Sequence, residues 1–351
     1  TGRKWFEKSS WDDYTTGGEV HAFLDFGELS LIKMGISYVK DNHISIDYYD
    51  ADTYPVTMGW ASVGWQPEKE YEMDTWSYGI EDEILLLDNR LKLNAGVSYD
   101  VLDPVKATEN EGRRKTSVWN PQAGMVFNLT DDFNVYASIG KKTRFPTMGE
   151  LYSDLAGGNS SLKPQKTIAY EVGSNKKFND FLNCSVALFF NDVEDRILNN
   201  SANEYVNNGK TEIKGLEAQM GITTPWNLDL GFTYTWLDSK DQSEGGEPWL
   251  DSEYLPEHKA VFDARYVFDF GLSTSFQSIY TGEQIEYDGS DKVKIDDFII
   301  CNFRLNQKVP FFKDMTTDFF VEIKNIFDEN YDEGSDPAPG RSFLAGLTIT
   351  F

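Results

Sequence analysis

The sequence predicts an all-β fold, an antiparallel meander that forms a transmembrane β-barrel of the bacterial outer-membrane type. Apolar and polar residues alternate along segments of about ten residues, which is the pattern of a barrel strand. Very short turns alternate with long polar loops, and aromatic residues make up 15% of the chain. Outer-membrane barrels carry aromatic girdles at both membrane interfaces. We therefore expect about 15 to 16 strands in the bacterial outer membrane, in contact with its lipid.

The alternation is clearest in the segment 227–236. Its apolar residues share one parity: Leu228, Leu230, Phe232, Tyr234 and Trp236. The other parity holds polar or small residues: Asn227, Asp229, Gly231, Thr233 and Thr235. Because successive side chains of a strand point to opposite faces, the first set is expected to face lipid and the second to face the barrel axis. The same pattern recurs in 91–100, 133–140 and 343–351.

Short turns alternate with long loops along the chain. The turns are predicted at 27–28, 88–89, 131–132, 179–180, 225–226, 269–270 and 312–314. The loops are predicted at 41–72, 104–118, 143–163, 242–255, 287–292 and 332–340. This asymmetry places the turns on the periplasmic side and the loops outside the cell. Within 41–72, an alternative is a hairpin that pairs 43–49 with 56–65.

The two ends of the chain carry their own signals. Counting from residue 17 gives about 15 strands, with a partial strand before residue 17 as an alternative, whereas single-chain bacterial barrels have an even number. With a first residue that is not Met, this count predicts that N-terminal strands are absent. The last strand, 341–351, ends on Phe351, which is typical of outer-membrane barrels. We interpret Phe351 as the signal read by the barrel-assembly machinery.

Composition excludes several functions. The net charge of −26 argues against nucleic acid as a partner, because its phosphates would be repelled. The two cysteines and three histidines are scattered, so we expect neither a metal site nor a cofactor nor a catalytic group, and hence no enzyme. Asp238, Asp241 and Asp251 in an acidic loop suggest Ca²⁺ as an alternative, but a solvated loop is the preferred interpretation.

Three segments carry motifs with a consistent order and spacing. The first spans 142–173 and contains Arg144, Pro146, Glu150, Leu151, Asn159, Leu162, Lys163, Pro164, Glu171 and Gly173. The second spans 205–217 and contains the run Tyr-Val-Asn-Asn-Gly. The third spans 321–343 and contains Asn325, Phe327, Asp328, Tyr331, Pro339, Gly340 and Arg341. Over residues 70–351 these motifs resemble those of TonB-dependent outer-membrane receptors, with Gln165 where that family usually has Glu. As an alternative, the motifs mark only barrel geometry.

The resemblance implies a 22-stranded barrel whose lumen holds an N-terminal plug domain. Residues 1–351 would then be the barrel domain, without the plug and the first strands. Such receptors take up scarce nutrients with energy supplied through the TonB complex, which acts on the plug. The implied ligand is a ferric siderophore. Uptake of cobalamin or another large solute, a passive porin and a β-rich binding module stay as alternatives. No histidine lies between the boxes 143–146 and 159–162, which argues against haem.

Two groups of residues are candidates for ligand contact. Aromatic residues in and after loop 41–72 would suit a planar ligand: Tyr48, Tyr49, Tyr54, Trp60, Trp65, Tyr71 and Trp76. Their alternative role is an interfacial girdle with loop packing. Arg144 and Tyr152 follow in the next candidate loop and would meet an anionic ligand, or else hydrogen-bond within the loop.

Overall fold

The computed structural model describes residues 7–59, 61–108, 112–153, 157–200, 203–242, 250–288, 291–312, 315–334 and 336–350. The chain divides into two compact units. Unit 1 comprises Thr1–Gly124, Gly140–Ile168 and Val193–Lys210, and unit 2 comprises Met125–Ile139, Ala169–Asp192 and Thr211–Phe351.

Strands dominate the described residues, and fifteen of them are nine residues or longer. In chain order the elements are β1 (Lys8–Asp25), β2 (Ser30–Tyr49), α1 (Tyr54–Thr57), β3 (Gly64–Trp65), β4 (Lys69–Leu86), β5 (Leu91–Lys106), β6 (Thr116–Thr130), β7 (Phe133–Arg144), α2 (Met148–Tyr152), β8 (Gln165–Lys177), β9 (Leu182–Glu194), β10 (Ile197–Asn199), β11 (Tyr205–Asn207), β12 (Lys210–Thr223), β13 (Leu228–Gln242), β14 (Leu250–Asp251), β15 (His258–Val267), β16 (Leu272–Thr281), β17 (Gln284–Asp288), β18 (Asp291–Ile295), β19 (Phe298–Phe312), β20 (Met315–Lys324), β21 (Asp332–Glu333), β22 (Asp336–Pro337) and β23 (Ser342–Thr350). Within the described ranges, no helix is long and apolar enough to cross a membrane.

Unit 1 contains a run of long antiparallel neighbours. Strand β1 pairs with β2 from Lys8↔Tyr48 to Asp25↔Leu31. Strand β2 continues onto β4, and β4 onto β5. The short β10 and β11 form a separate hairpin. Each long strand pairs with its next long neighbour in sequence, so the predicted meander is confirmed here.

Unit 2 repeats the arrangement. Strands β13, β15, β16, β19, β20 and β23 pair in that order, and all the pairings are antiparallel. The intervening loops contain the hairpins β17–β18 and β21–β22. The sequence patterns had indicated only loops at 287–292 and 332–340. Two- to five-residue strands are too short to display an alternation, which explains why they were not predicted.

Side-chain facing in unit 2 follows the predicted parity. Gln277 donates to Asp263 at 2.9 Å and accepts from Asn302 at 3.2 Å, so one face of β15, β16 and β19 is polar. Register places Gly231 opposite Asp263, which puts Asp229 and Gly231 on this polar face. Phe232 has the other parity and keeps 40% of its surface exposed. Polar side chains thus satisfy one another inside, and apolar ones remain for lipid.

An aromatic row crosses four strands of unit 1. Its members are Tyr38, Trp76, Tyr78, Tyr99 and Trp119, on β2, β4, β5 and β6. The Tyr38 and Trp76 rings lie 4.5 Å apart, and those of Tyr99 and Trp119 lie 4.6 Å apart. Trp119 is 59% exposed. Amphipathic rings in such a row are typical of the boundary between lipid and water.

Some predicted boundaries were wrong. The first strand begins at Lys8 rather than near residue 17, and β2 runs to Tyr49. Loop 41–72 is therefore reduced to residues 50–68. The alternative hairpin of 43–49 with 56–65 survives only as the two-residue pairing of β2 with β3. A strand that rises out of the membrane continues through residues that are polar on both faces. Hydropathy alternation therefore does not reveal this outer part of the strand. Phe351 lies outside the described residues.

Candidate ligand-binding site

A cavity of about 1270 Å³ lies in unit 1, at the ends of the strands that carry long loops. Its wall is one face of β1, β2 and β4, and the segment 145–153 covers it. Register sets Asp13 opposite His43, and His43 opposite Tyr71, so these side chains project from the same face. This volume is large enough for a drug-sized ligand or a larger one.

Four rings form a continuous line across the cavity. Trp11 on β1 and His43 on β2 have ring centroids 6.2 Å apart, and His43 stacks on Tyr71 at 6.2 Å. Tyr71 then stacks on Tyr152 of α2 at 5.2 Å with only 14° between their planes. Ring stacking of this kind stabilises by about 0.5–1.5 kcal/mol beyond burial. The line therefore fastens α2 to the barrel wall.

An apolar cluster holds the covering segment from below. It joins β4 and β5 to the loop and to β10, and its buried members are Tyr71, Met73, Leu102, Leu151, Tyr152, Leu162 and Ile197. Phe145 and Met148 pack against it. The motif residues Leu151 and Leu162 thus have a structural role, because both are at most 6% exposed.

Arg144 and Glu150 close the start of the covering loop. The Arg144 guanidinium donates to both Glu150 carboxylate oxygens, at 3.0 and 2.9 Å. Thr147 caps α2, since its hydroxyl accepts from the Glu150 amide and the Glu150 carboxylate accepts from the Thr147 amide. Burial opposes ionisation of Glu150, but the hydrogen bonds from Arg144 and Thr147 outweigh it and hold the pKa of Glu150 below its usual value.

The end of the same loop is held by the β10–β11 hairpin. The Asn159 side chain donates to the Tyr205 carbonyl at 2.9 Å. Asn207 accepts from the Lys163 amide at 2.7 Å and donates to the Lys163 carbonyl at 2.9 Å. Pro164 is buried beside them. The second motif segment therefore supports the first.

The motif residues of unit 2 also have local structural partners. Gly173 lies under the Tyr136 ring, where a Cβ would come within 2.5 Å of the ring, and Glu171 hydrogen-bonds the Tyr136 side chain. Asn325 is 3% exposed and binds the Glu329 backbone through both its amide nitrogen and oxygen.

The last motif residues lie around the same turn. Asp328 accepts from the Arg341 amide at 2.8 Å, and Tyr331 packs on Phe298 at 4.3 Å. Pro339 and Gly340 precede that contact on an exposed stretch, and Phe327 is 72% exposed. These residues shape the turn before β23.

The predicted ligand residues separate into distinct places. Tyr49, Tyr71 and Tyr152 line the cavity together. Tyr48 and Trp65 pair with each other at 5.4 Å, and Trp76 belongs to the aromatic row. Trp60 and the side chain of Tyr54 lie outside the described residues. Contact of any of them with a ligand stays a prediction.

Several lining residues were not predicted: Trp11, Asp13, Asp41, His43 and Asp47. They belong to β1 and β2 beyond their apolar parts. Their signal was the hairpin itself, because continuing its register outward from Asp25↔Leu31 places Asp13 across from His43.

In the described part of the acidic loop of unit 2, each of the three aspartates has its own separate partner. Asp238 pairs with Lys214 at 2.9 Å, Asp241 accepts from Thr211 at 2.6 Å, and Asp251 pairs with Lys292 at 2.6 Å. Within the described ranges, no group of three acidic, histidine or cysteine side chains could hold a metal ion. Residues 243–249 of this loop lie outside the described residues, and its solvated interpretation stays a prediction.

Comparison with known proteins identifies the family. The family model described as "TonB dependent receptor-like, beta-barrel" matches residues 2–326. The chain therefore belongs to the TonB-dependent receptors, and its strands are those of their outer-membrane β-barrel.

Individual relatives add detail. The chain is 26% identical over 227 residues to the catecholate siderophore receptor Fiu of Escherichia coli K12, an alignment that covers 61% of this chain and 29% of that protein. The FrpB iron transporter of Neisseria meningitidis matches with a TM-score of 0.75 at 15% identity, over 96% of this chain and 55% of that one. The copper transporter OprC matches with a TM-score of 0.78 at 18% identity, over 97% and 57%. The chain thus spans little more than half of the two solved transporters, and its alignment covers less than a third of Fiu. These relatives are transport proteins, in keeping with a role other than catalysis.

Proposed function

We propose that the chain is the barrel part of a receptor that binds a ferric siderophore in the cavity of unit 1 and imports it. The observation that carries this proposal is the line of rings from Trp11 to Tyr152, whose Trp11 end is 62% exposed at the loop end of a barrel of this family. An aryl or other apolar part of a siderophore would pack on Trp11. The likeness to a receptor named for catecholate siderophores supports the choice of iron complexes.

The remaining parts of the mechanism are also proposals. A plug domain in the full-length receptor would close the lumen, and the TonB complex would act on that plug to drive import. The barrel-assembly machinery would recognise the C-terminal strand that ends in Phe351. Residues 1–351 contribute the wall, the cavity and the covering loop 145–153.

The test compares three variants of the full-length receptor. Tyr71→Ala removes the ring that joins His43 to Tyr152, and we expect it to weaken binding of a ferric siderophore roughly tenfold, because the cavity wall and the covering loop lose their contact with each other. Tyr71→Phe keeps the ring and is expected to bind normally. Tyr78→Ala is the matched control, since Tyr78 is on the same strand but in the aromatic row. Tryptophan fluorescence during titration measures affinity, and uptake of radioactive iron with and without TonB measures transport.

Two results would contradict the proposal. If cobalamin or haem binds and a panel of ferric siderophores does not, the ligand class is wrong, although the receptor family stands. If solutes pass without TonB, the protein acts as a passive porin.

A further inference from the structure

The cavity has an unusual charge for a site that binds iron complexes. Three carboxylates line it, from Asp13, Asp41 and Asp47. Among the described lining residues, Lys69 is the only lysine or arginine. Even with His43 protonated, negative charges would outnumber positive ones.

The carboxylates are held by partners that leave most of their charge in place. The Ser9 hydroxyl donates to Asp47 at 2.8 Å, and the Thr15 hydroxyl donates to Asp41 at 2.7 Å. Hydroxyl donors orient a carboxylate without neutralising it. Asp13 lies 2.5 Å from the His43 ring nitrogen.

Neighbouring cations already have carboxylate partners. Arg144 donates to both carboxylate oxygens of Glu150, Lys40 pairs with Glu72 at 2.9 Å, and Lys106 pairs with Glu70. Recruiting one of them to an anionic ligand would strand a carboxylate, which carries its own cost. An anionic ligand would therefore have to compete with Glu150 for Arg144, and contact of Arg144 with a ligand stays a prediction.

The aromatic rings also favour a ligand that carries positive charge. Aromatic faces carry negative electrostatic potential, and cations bind over them. Trp11 is 62% exposed and lines the cavity together with Asp13 and Asp41.

We propose that this cavity selects ferric siderophores of neutral or positive overall charge and disfavours the trianionic tris-catecholate type. This inference rests on the proposed function. A suitable ligand carries an amine or other cationic group that reaches Asp41 or Asp47, while its apolar part lies against Trp11. Selection then comes from charge, because a trianion would enter a site that already repels it.

The experiment uses the purified full-length receptor and three probes: monocationic ferrioxamine B, neutral ferrichrome and trianionic ferric enterobactin. We expect ferrioxamine B or ferrichrome to bind more tightly than ferric enterobactin. Added salt should weaken binding of the monocation and strengthen that of the trianion, since it screens both interactions. This measurement needs no variant.

The double variant Asp41→Asn and Asp47→Asn keeps side-chain shape and still accepts the Thr15 and Ser9 hydroxyls. We expect affinity for the monocation to fall roughly three- to tenfold and affinity for the trianion to rise by a similar factor. Asp82→Asn is the matched control, because Asp82 also accepts a serine hydroxyl, at 2.6 Å from Ser30, but lies outside the cavity lining. If the double variant does not fold, each single substitution is expected to change the two affinities in the same directions by a smaller factor.

The outcomes separate the two proposals. If ferric enterobactin binds most tightly and the double variant leaves that order unchanged, the charge selection is wrong while the siderophore receptor stands. If none of the three complexes binds, the proposed function fails and the selection fails with it.

Discussion

Gly173 is a motif residue with a steric role, because it leaves room for a neighbouring side chain. A Cβ at this position would come within 2.5 Å of the Tyr136 ring, closer than side chains tolerate. We expect Gly173→Ala to lower the folded fraction of the receptor, because the ring has to leave its place on the neighbouring strand. Loss of heat-modifiable mobility on a gel measures that fraction.

A second substitution separates crowding from other causes. Tyr136→Ala removes the ring, so the double variant Gly173→Ala with Tyr136→Ala should fold no worse than Tyr136→Ala alone. Additive losses in the double variant would show that Gly173 is required for another reason, such as its backbone conformation.

At the scale of the element, the covering loop 145–153 depends on one ionised carboxylate. The pKa of Glu150 is held below its ordinary value of 4.5, so its ionised form stabilises the folded loop. That stabilisation is complete at neutral pH and is lost as the pH falls through the lowered pKa. We expect the loop to become protease-sensitive over that acid range, as measured by the rate of cleavage within the loop.

Glu150→Gln supplies the control for this prediction. The variant cannot ionise, so its loop should already be more sensitive at neutral pH and should lose the acid-dependent step. A wild-type step that persists in Glu150→Gln would assign the pH dependence to a different group.

Elements of this fold differ in how far the sequence predicts them. Alternation along 227–236 is local information, and the structure places β13 at Leu228–Gln242 with the expected facing. The loops depend on distant partners. Tyr71 and Tyr152 meet only because β10–β11, β4 and α2 pack in one cluster, and no local pattern carries that contact. Residues such as Asp41 and Asp47 looked like loop because strands that leave the membrane lose their apolar face.

At the scale of the whole molecule, the direction in which a strand side chain points decides which substitutions are tolerated at its position. Phe232 is exposed on the lipid face of β13, and Thr233 faces the other way. We expect Phe232→Arg to destabilise the barrel by about 2–4 kcal/mol, since a charge would enter hydrocarbon. Thr233→Arg should be tolerated. The folded yield in outer-membrane vesicles measures both, and equal losses would mean that the assigned facing is wrong.

The aromatic row marks the membrane boundary, from which the height of the cavity in unit 1 follows. Along β2, Asp41 and Asp47 follow Tyr38 by three and nine residues. A rise of about 3.3 Å per residue and a tilt near 40° put them roughly 8 to 23 Å above the row. The two carboxylates of the proposed charge selection therefore lie above the lipid headgroups, in the aqueous part of the barrel. A substitution that changes the charge of Asp41 or Asp47 would therefore alter the cavity wall without placing a charge in the hydrocarbon of the membrane.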